Sequence, residues 1–198
     1  MKKVVVYGGA FSPPHLGHAA IIENVLRYFP CNEIWVMPSA DRYDKKITAS
    51  ADHRLQMLAI IIQELFPNPI VPIKISSLEI EQKNPATTYR TKLLLEKLYP
   101  ENQFYFLVGS DIFPDIEKSW TDGKELFATA NFLVVKRPGF NLPETVLNVH
   151  VLKSANSLNI SSTTIRNLIQ NGHTTLPHLS QGVALYIKEK NLYNSKRK

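Results

Sequence analysis

Within 198 residues, 23 Lys and Arg stand against 17 Asp and Glu, for a formal charge of +6. The length suits one domain with a core of its own, and 44% hydrophobic with 20% charged residues is ordinary for a soluble fold. The lone Cys31 excludes an internal disulfide or a cysteine zinc cluster, the apolar run at residues 4–7 is too short for a signal segment or membrane span, and a cytoplasmic location is expected.

Residues 4–8 form an apolar run stopped by Gly8-Gly9, which predicts a buried strand. A helix is expected over 17–29, with Ile22, Val25, Leu26 and Phe29 on one face and Pro30 as its stop. A second strand covers 33–37 and closes at Pro38. The next helix starts near Asp52, read as its N-cap, and carries Leu55, Leu58, Ile62 and Leu65 on one stripe. Residues 70–75 give a weaker strand, which Pro72 assigns to an edge or bulge. A helix follows at 88–99, a central strand at 104–109, a short helix at 124–130 and strands at 131–136 and 149–152. Helices at 162–171 and 180–189 close the domain, read as residues 1–193, and 194–198 form a polar basic tail. Strands alternating with helices predict an α/β fold: a Rossmann-like, doubly wound parallel sheet in a single domain. Such sheets bind ligands beyond the carboxyl ends of their strands, here the turns after Gly8, Pro38, Gly109 and Lys136.

The first of these turns reads Gly8-Gly9-Ala10-Phe11-Ser12-Pro13-Pro14-His15-Leu16-Gly17-His18. Two glycines permit positive φ and close backbone approach, and a helix start favours an anion. The spacing is not that of a dinucleotide fingerprint, and no Gly-Lys-Ser/Thr of a phosphate-binding P-loop follows. His15 and His18, three positions apart, can both meet one ligand, and imidazole donors suit phosphate oxygens. Taken alone, the pair reads rather as a capping histidine or a surface pair. Near the other end, Ile160-Ser161-Ser162-Thr163-Thr164-Ile165-Arg166 places three hydroxyls at a helix start, with Arg166 one turn in. Taken alone, that is a capped helix with a surface arginine.

Together the two strings resemble the G-x-F-x-P-x-H-x-G-H and I-S-S-T-x-I-R motifs of the nucleotidyltransferase α/β-phosphodiesterase superfamily. The Gly-Gly-x-Phe-x-Pro-x-His form looks most like the nicotinate and nicotinamide mononucleotide adenylyltransferases. Ser12 departs from the Asp most common there, and Ala10 from a small hydroxyl residue. The resemblance implies adenylyl transfer from ATP to a pyridine mononucleotide, with His18, His15 and Arg166 as catalytic residues and Mg²⁺ bound to the ATP phosphates. It implies an ATP site made by Gly8, Gly9, Ala10, Phe11, His15, His18, Gly109, Asp111, Ile160, Ser161, Ser162, Thr163 and Arg166, with no resident protein metal site. Gly109-Ser110-Asp111 resembles the family's Gly-x-Asp, whose carboxylate lies by the adenosine ribose.

For the mononucleotide, the resemblance points to Lys45, Lys46, Arg54, Thr88, Tyr89, Trp120 and Arg137. Trp120 is either core or a stacking partner for the pyridine ring, and Tyr89 either packs or meets the ligand. Arg54 either contacts a substrate phosphate or pairs with Asp52, and Arg137, in Arg137-Pro138-Gly139, either joins the site or ends a strand in solvent. The segment Asp41-Arg42-Tyr43-Asp44-Lys45-Lys46 looks more like enzymes that also accept the amide, while the chain length looks bacterial, so the choice of base stays open.

Nicotinate mononucleotide is the expected acceptor, with the amide, or another nucleotidyl transfer of the superfamily, as the alternative. From a different class, the positive charge allows a nucleic-acid-binding module, but that requires a clustered basic face. The charges divide evenly instead, 12 basic against 9 acidic in residues 1–100 and 11 against 8 afterwards. Neither nucleic acid nor a membrane is expected as a partner.

Overall fold

A computed structural model describes residues 1–40, 48–82, 87–136, 139, 148–152, 160–173 and 175–194. Six strands, β1 (Lys2–Gly9), β2 (Glu33–Pro38), β3 (Ile73–Ile75), β4 (Asn102–Gly109), β5 (Asn131–Val135) and β6 (Val149–Leu152), form one sheet in the order β3-β2-β1-β4-β5-β6. Every pairing is parallel. The chain steps outward from β1 to β3, then returns to β1's other side with β4, so the order reverses between β1 and β4. A sheet of this order opens a crevice at the carboxyl ends of those two strands.

The apolar runs work as two interleaved sets. Val4 and Val6 of β1, Phe104 and Phe106 of β4 and Phe132 and Val134 of β5 face one side. Val5, Tyr7, Tyr105, Leu107, Leu133 and Val135 face the other. This two-sided burial gives central parallel strands a continuous apolar run in place of alternation. Helix α1 (Leu16–Tyr28) and α2 (Ala51–Leu65) cover the second face through Ile22, Val25 and Leu58. On the first face lie α4 (Thr88–Leu98), α5 (Ile116–Ser119) and α6 (Gly123–Thr129), through Leu95, Ile116 and Leu126.

The last two helices, α7 (Ser162–Gln170) and α8 (Gln181–Glu189), build a third apolar cluster against α2. Met57 and Ile61 meet Ile165, Ile169, Val183 and Ile187 there. Gly182 lets α8 approach closely, since a Cβ at that position would lie 2.6 Å from Ile60 Cγ2. Among the described residues, no helix is long and apolar enough to cross a membrane.

Three local expectations are corrected. The cap of α2 is Ser50, whose hydroxyl accepts from His53 N, and Asp52 sits inside the first turn where it favours the helix dipole. The strand expected from residue 70 is reduced to Ile73–Ile75, because Pro72 has no N–H for the ladder, and it does lie at the edge. The short helix α3 (Leu78–Glu81), α5 and a 3₁₀ turn at Phe113–Asp115 are additional to the predicted elements. Single turns of this kind are too short to show a helical period in sequence.

Candidate active site

The turn leaving β1 follows a constrained path. The positive φ expected at Gly8 or Gly9 is found at Phe11 instead, at 48°, and the Ser12–Pro13 peptide is cis. The glycines contribute small size. A Cβ on Gly9 would lie 3.2 Å from the Phe11 ring, whereas one on Gly8 would enter open space at the carboxyl end of β1. A ligand can therefore reach the Gly8 backbone directly. Ala10 follows, half-buried, before Phe11 turns its ring into the core.

His15 caps the start of α1 and is 4% exposed, while His18 is half-buried. The His15 backbone N–H donates to His18 Nδ1 at 3.1 Å. Because Nδ1 accepts, the ring proton of neutral His18 is on Nε2, which becomes the ring's donor. The two imidazoles stack with centroids 3.7 Å apart, and the Phe11 ring lies 4.9 Å from His18. The Leu16 N–H donates to the His178 carbonyl and the His18 N–H to the His15 carbonyl, both at 2.9 Å. With the amides of His15, Leu16 and His18 already committed, an anion at this helix start meets chiefly side chains.

The second signature grips the first. Ser161 caps α7, its hydroxyl accepting from Thr164 N at 3.1 Å. Ser162 Oγ donates to the Pro13 carbonyl at 2.9 Å. Arg166 donates through Nη1 to the Ser12 carbonyl at 2.8 Å and through Nη2 to Thr163 Oγ1 at 3.0 Å. A guanidinium has five N–H donors, so these two bonds leave capacity for a phosphate. Ile160 lies half-buried beneath, and a Cβ on Gly17 would lie 3.6 Å from Ile160 Cβ. Residues about 150 positions apart in sequence thus form one surface at the carboxyl end of β1.

Arg54 has no exposed surface. Its Nη1 donates to the Ser39 carbonyl at 2.7 Å and the Ala10 carbonyl at 3.1 Å. Since Ser39 N also donates to the Gly9 carbonyl at 2.8 Å, the turns after β1 and β2 are bound as a unit. Burying a guanidinium requires such acceptors.

Gly109 ends β4 across the crevice, and Asp111 lies half-buried two residues on. Tyr89 and Trp120 each pack against the apolar cluster on the sheet face opposite α1. Thr88 opens α4, whose cap Thr87 donates from Oγ1 to Asp122 Oδ2 at 3.3 Å, joining the starts of α4 and α6. Lys45, Lys46 and Arg137 lie outside the described residues. The triphosphate candidates are therefore on the α1 side of the sheet and the aromatic candidates on the other, flanking the crevice.

Sequence reasoning assigned no role to Tyr193. It is 7% exposed, and its hydroxyl lies 3.2 Å from Ser12 Oγ. Burial pushes its phenol up to about 12, against the downward pull of the Ser12 hydrogen bond and the nearby Arg166 and Arg54 charges. The only sequence signal was the apolar pair Leu192-Tyr193 within a polar end. A separate hollow of about 310 Å³, touching Met1, Asn102 and Asn131, lies at the opposite end of the sheet and belongs to none of this machinery.

Residues 6–168 match the cytidylyltransferase-like family. The chain is 34% identical over 199 residues to the nicotinate-nucleotide adenylyltransferase of Bacillus subtilis, covering 98% of this chain and all of that one. It is 35% identical over 201 residues to the probable nicotinate-nucleotide adenylyltransferase of Geobacillus thermodenitrificans, covering 99% and 88%. A solved structure of Plasmodium falciparum nicotinic acid mononucleotide adenylyltransferase, complexed with NaAD, superposes with a TM-score of 0.80 at 27% identity over 98% of both chains. Sequence likeness along nearly the whole length, and the joined signatures at the strand-order reversal, make this chain a member of the nicotinate-nucleotide adenylyltransferase family.

Proposed function

We propose that the protein joins ATP and nicotinate mononucleotide into nicotinate adenine dinucleotide, releasing pyrophosphate, in NAD biosynthesis. The observation that carries this reading is the stacked His15–His18 pair following a turn whose Ser12 and Pro13 carbonyls are held by Arg166 and Ser162. A phosphate oxygen of the mononucleotide attacks the α-phosphorus of ATP. The new O–P bond forms as the bond from the α-phosphorus to the bridging oxygen breaks, and pyrophosphate leaves with that electron pair. The attacking group is already an anion, so no protein nucleophile or base is needed. The obstacle is charge: two unit charges about 4 Å apart repel by about 4 kcal/mol at an effective dielectric of 20. Alignment and electrostatic stabilisation therefore carry the reaction.

His18 Nε2–H donates to the α-phosphate as charge redistributes. His15, nearly buried, fixes that ring by stacking and by its backbone donor, and it meets the neighbouring phosphates at its exposed edge. Arg166 holds the β/γ end with its remaining donors, while Ser162 keeps the two signatures together. Gly8, Gly9 and Ala10 admit the nucleotide backbone, and Asp111 accepts from the adenosine ribose. Thr88, Tyr89 and Trp120 hold the nucleoside of the acceptor, and Lys45, Lys46 and Arg137, which lie outside the described residues, are further candidates for binding it.

Among the described residues no group of three or more His, Cys, Asp or Glu could hold a metal ion. The side chains proposed to meet the triphosphate are imidazole, guanidinium and hydroxyl, which suit phosphate oxygens better than a hard cation. Magnesium would enter with the ATP substrate, where it would neutralise phosphate charge. The test is pyrophosphate release with ATP and either nicotinate or nicotinamide mononucleotide. A higher kcat/KM for the acid is expected. Equal values would defeat the choice of base, and turnover only with a different phosphorylated acceptor would defeat the activity.

A further inference from the structure

The constrained turn is held from several sides. Arg54 takes the Ala10 carbonyl, Arg166 the Ser12 carbonyl and Ser162 the Pro13 carbonyl. One further attachment comes from the far end of the chain, where the Tyr193 hydroxyl meets Ser12 Oγ at 3.2 Å and both residues are buried. The same C-terminal stretch also offers the His178 carbonyl to Leu16 N at the start of α1. Ser12 follows Phe11, which has φ 48° without being glycine. A side chain holds that conformation only where its neighbours fix it. The Phe11 ring in turn lies 4.9 Å from His18.

We infer that Tyr193 is a positioning residue for His18, acting through Ser12 and Phe11, so that docking of the C-terminal segment sets the geometry of the candidate catalytic loop. This rests on the adenylyl-transfer reading for its effect on turnover, but not for its structural route. The phenol is suited to the task because burial keeps it protonated far above neutral pH, so its hydroxyl can share a hydrogen bond with Ser12 Oγ, either oxygen donating, at any working pH. Removing only the hydroxyl leaves the ring's packing against the third cluster in place.

The test compares wild type, Tyr193→Phe, Ser12→Ala and the double variant by steady-state kinetics with ATP and nicotinate mononucleotide. It also records the side-chain ¹⁵N resonances of His18. Each single change is expected to lower kcat about tenfold while both KM values stay within about twofold, because misplacement by a fraction of an ångström acts on the transition state. The double variant should be no slower than the slower single, since both break one link. The His18 Nδ1 resonance should move in both single variants as its bond from His15 N is disturbed. Wild-type kcat in Tyr193→Phe overturns the proposal, as does an unmoved His18 resonance whatever the turnover. If the wild-type protein forms no dinucleotide, the adenylyl-transfer reading fails, and the resonance alone decides the positioning role.

Discussion

His18 is served by three neighbours at once: the His15 backbone donor, the His15 ring and the Phe11 ring. That fixes one donor, Nε2–H, before any ligand arrives, and preorganised donors contribute most where charge develops in the transition state. His18→Ala is therefore expected to lower kcat by about 10²–10³-fold with ATP and nicotinate mononucleotide, with a much smaller change in KM. Near-wild-type turnover in a rapid-quench or pyrophosphate assay would remove its assigned role. The histidines and Arg166 stood out in the sequence only through the resemblance of their two strings to family motifs, and the structure puts both strings at helix starts. Arg54 was visible as a cation but not as a clamp, since its acceptors, Ala10 and Ser39, are carbonyls that no residue identity marks. Tyr193 was illegible for a related reason. Its partner is 181 positions away, and only the packing of α8 on α2 brings it there.

The elements of the sheet followed the apolar runs closely, and β6 has the bounds that periodicity gave. Boundaries failed where a competing hydroxyl was available, as with Ser50 ahead of Asp52. The start of α8 shows a cap that no local pattern can reveal. Ser180 makes no side-chain cap bond, and the carboxylate of Glu64 on α2 instead accepts from Gln181 N and Gly182 N, each at 3.1 Å. A carboxylate there satisfies two orphan amides and favours the helix dipole. Glu64→Ala should destabilise the fold by about 1 kcal/mol, the usual scale of a lost cap, and lower Tm by about 2–4 °C for a chain of this size. Differential scanning calorimetry at neutral pH decides this, and an unchanged Tm would show that water replaces the carboxylate at no cost.

At the scale of the molecule, the sheet brings the β1 and β4 ends together, and the third cluster returns the C-terminal segment to the first turn. The family likeness follows the first part of that design, and the Tyr193–Ser12 contact adds a closure of the whole chain with a measurable signature in alkali. In the unfolded chain the Tyr193 phenol ionises near 10, whereas burial raises it to about 12 in the fold. Its protonated form is thus the one the fold favours, so its contribution is fully present below pH 10 and declines as pH rises toward 12. Two pH units of displacement correspond to about 2–3 kcal/mol. Burial also raises Tyr105, which acts in the same direction. Urea unfolding measured from pH 8 to 11.5 should therefore show wild-type stability falling more steeply above pH 10 than that of Tyr193→Phe, which has no proton to lose at that site. Parallel curves for the two proteins would mean that the phenol is hydrated in the fold and that the C-terminal closure does not form in solution.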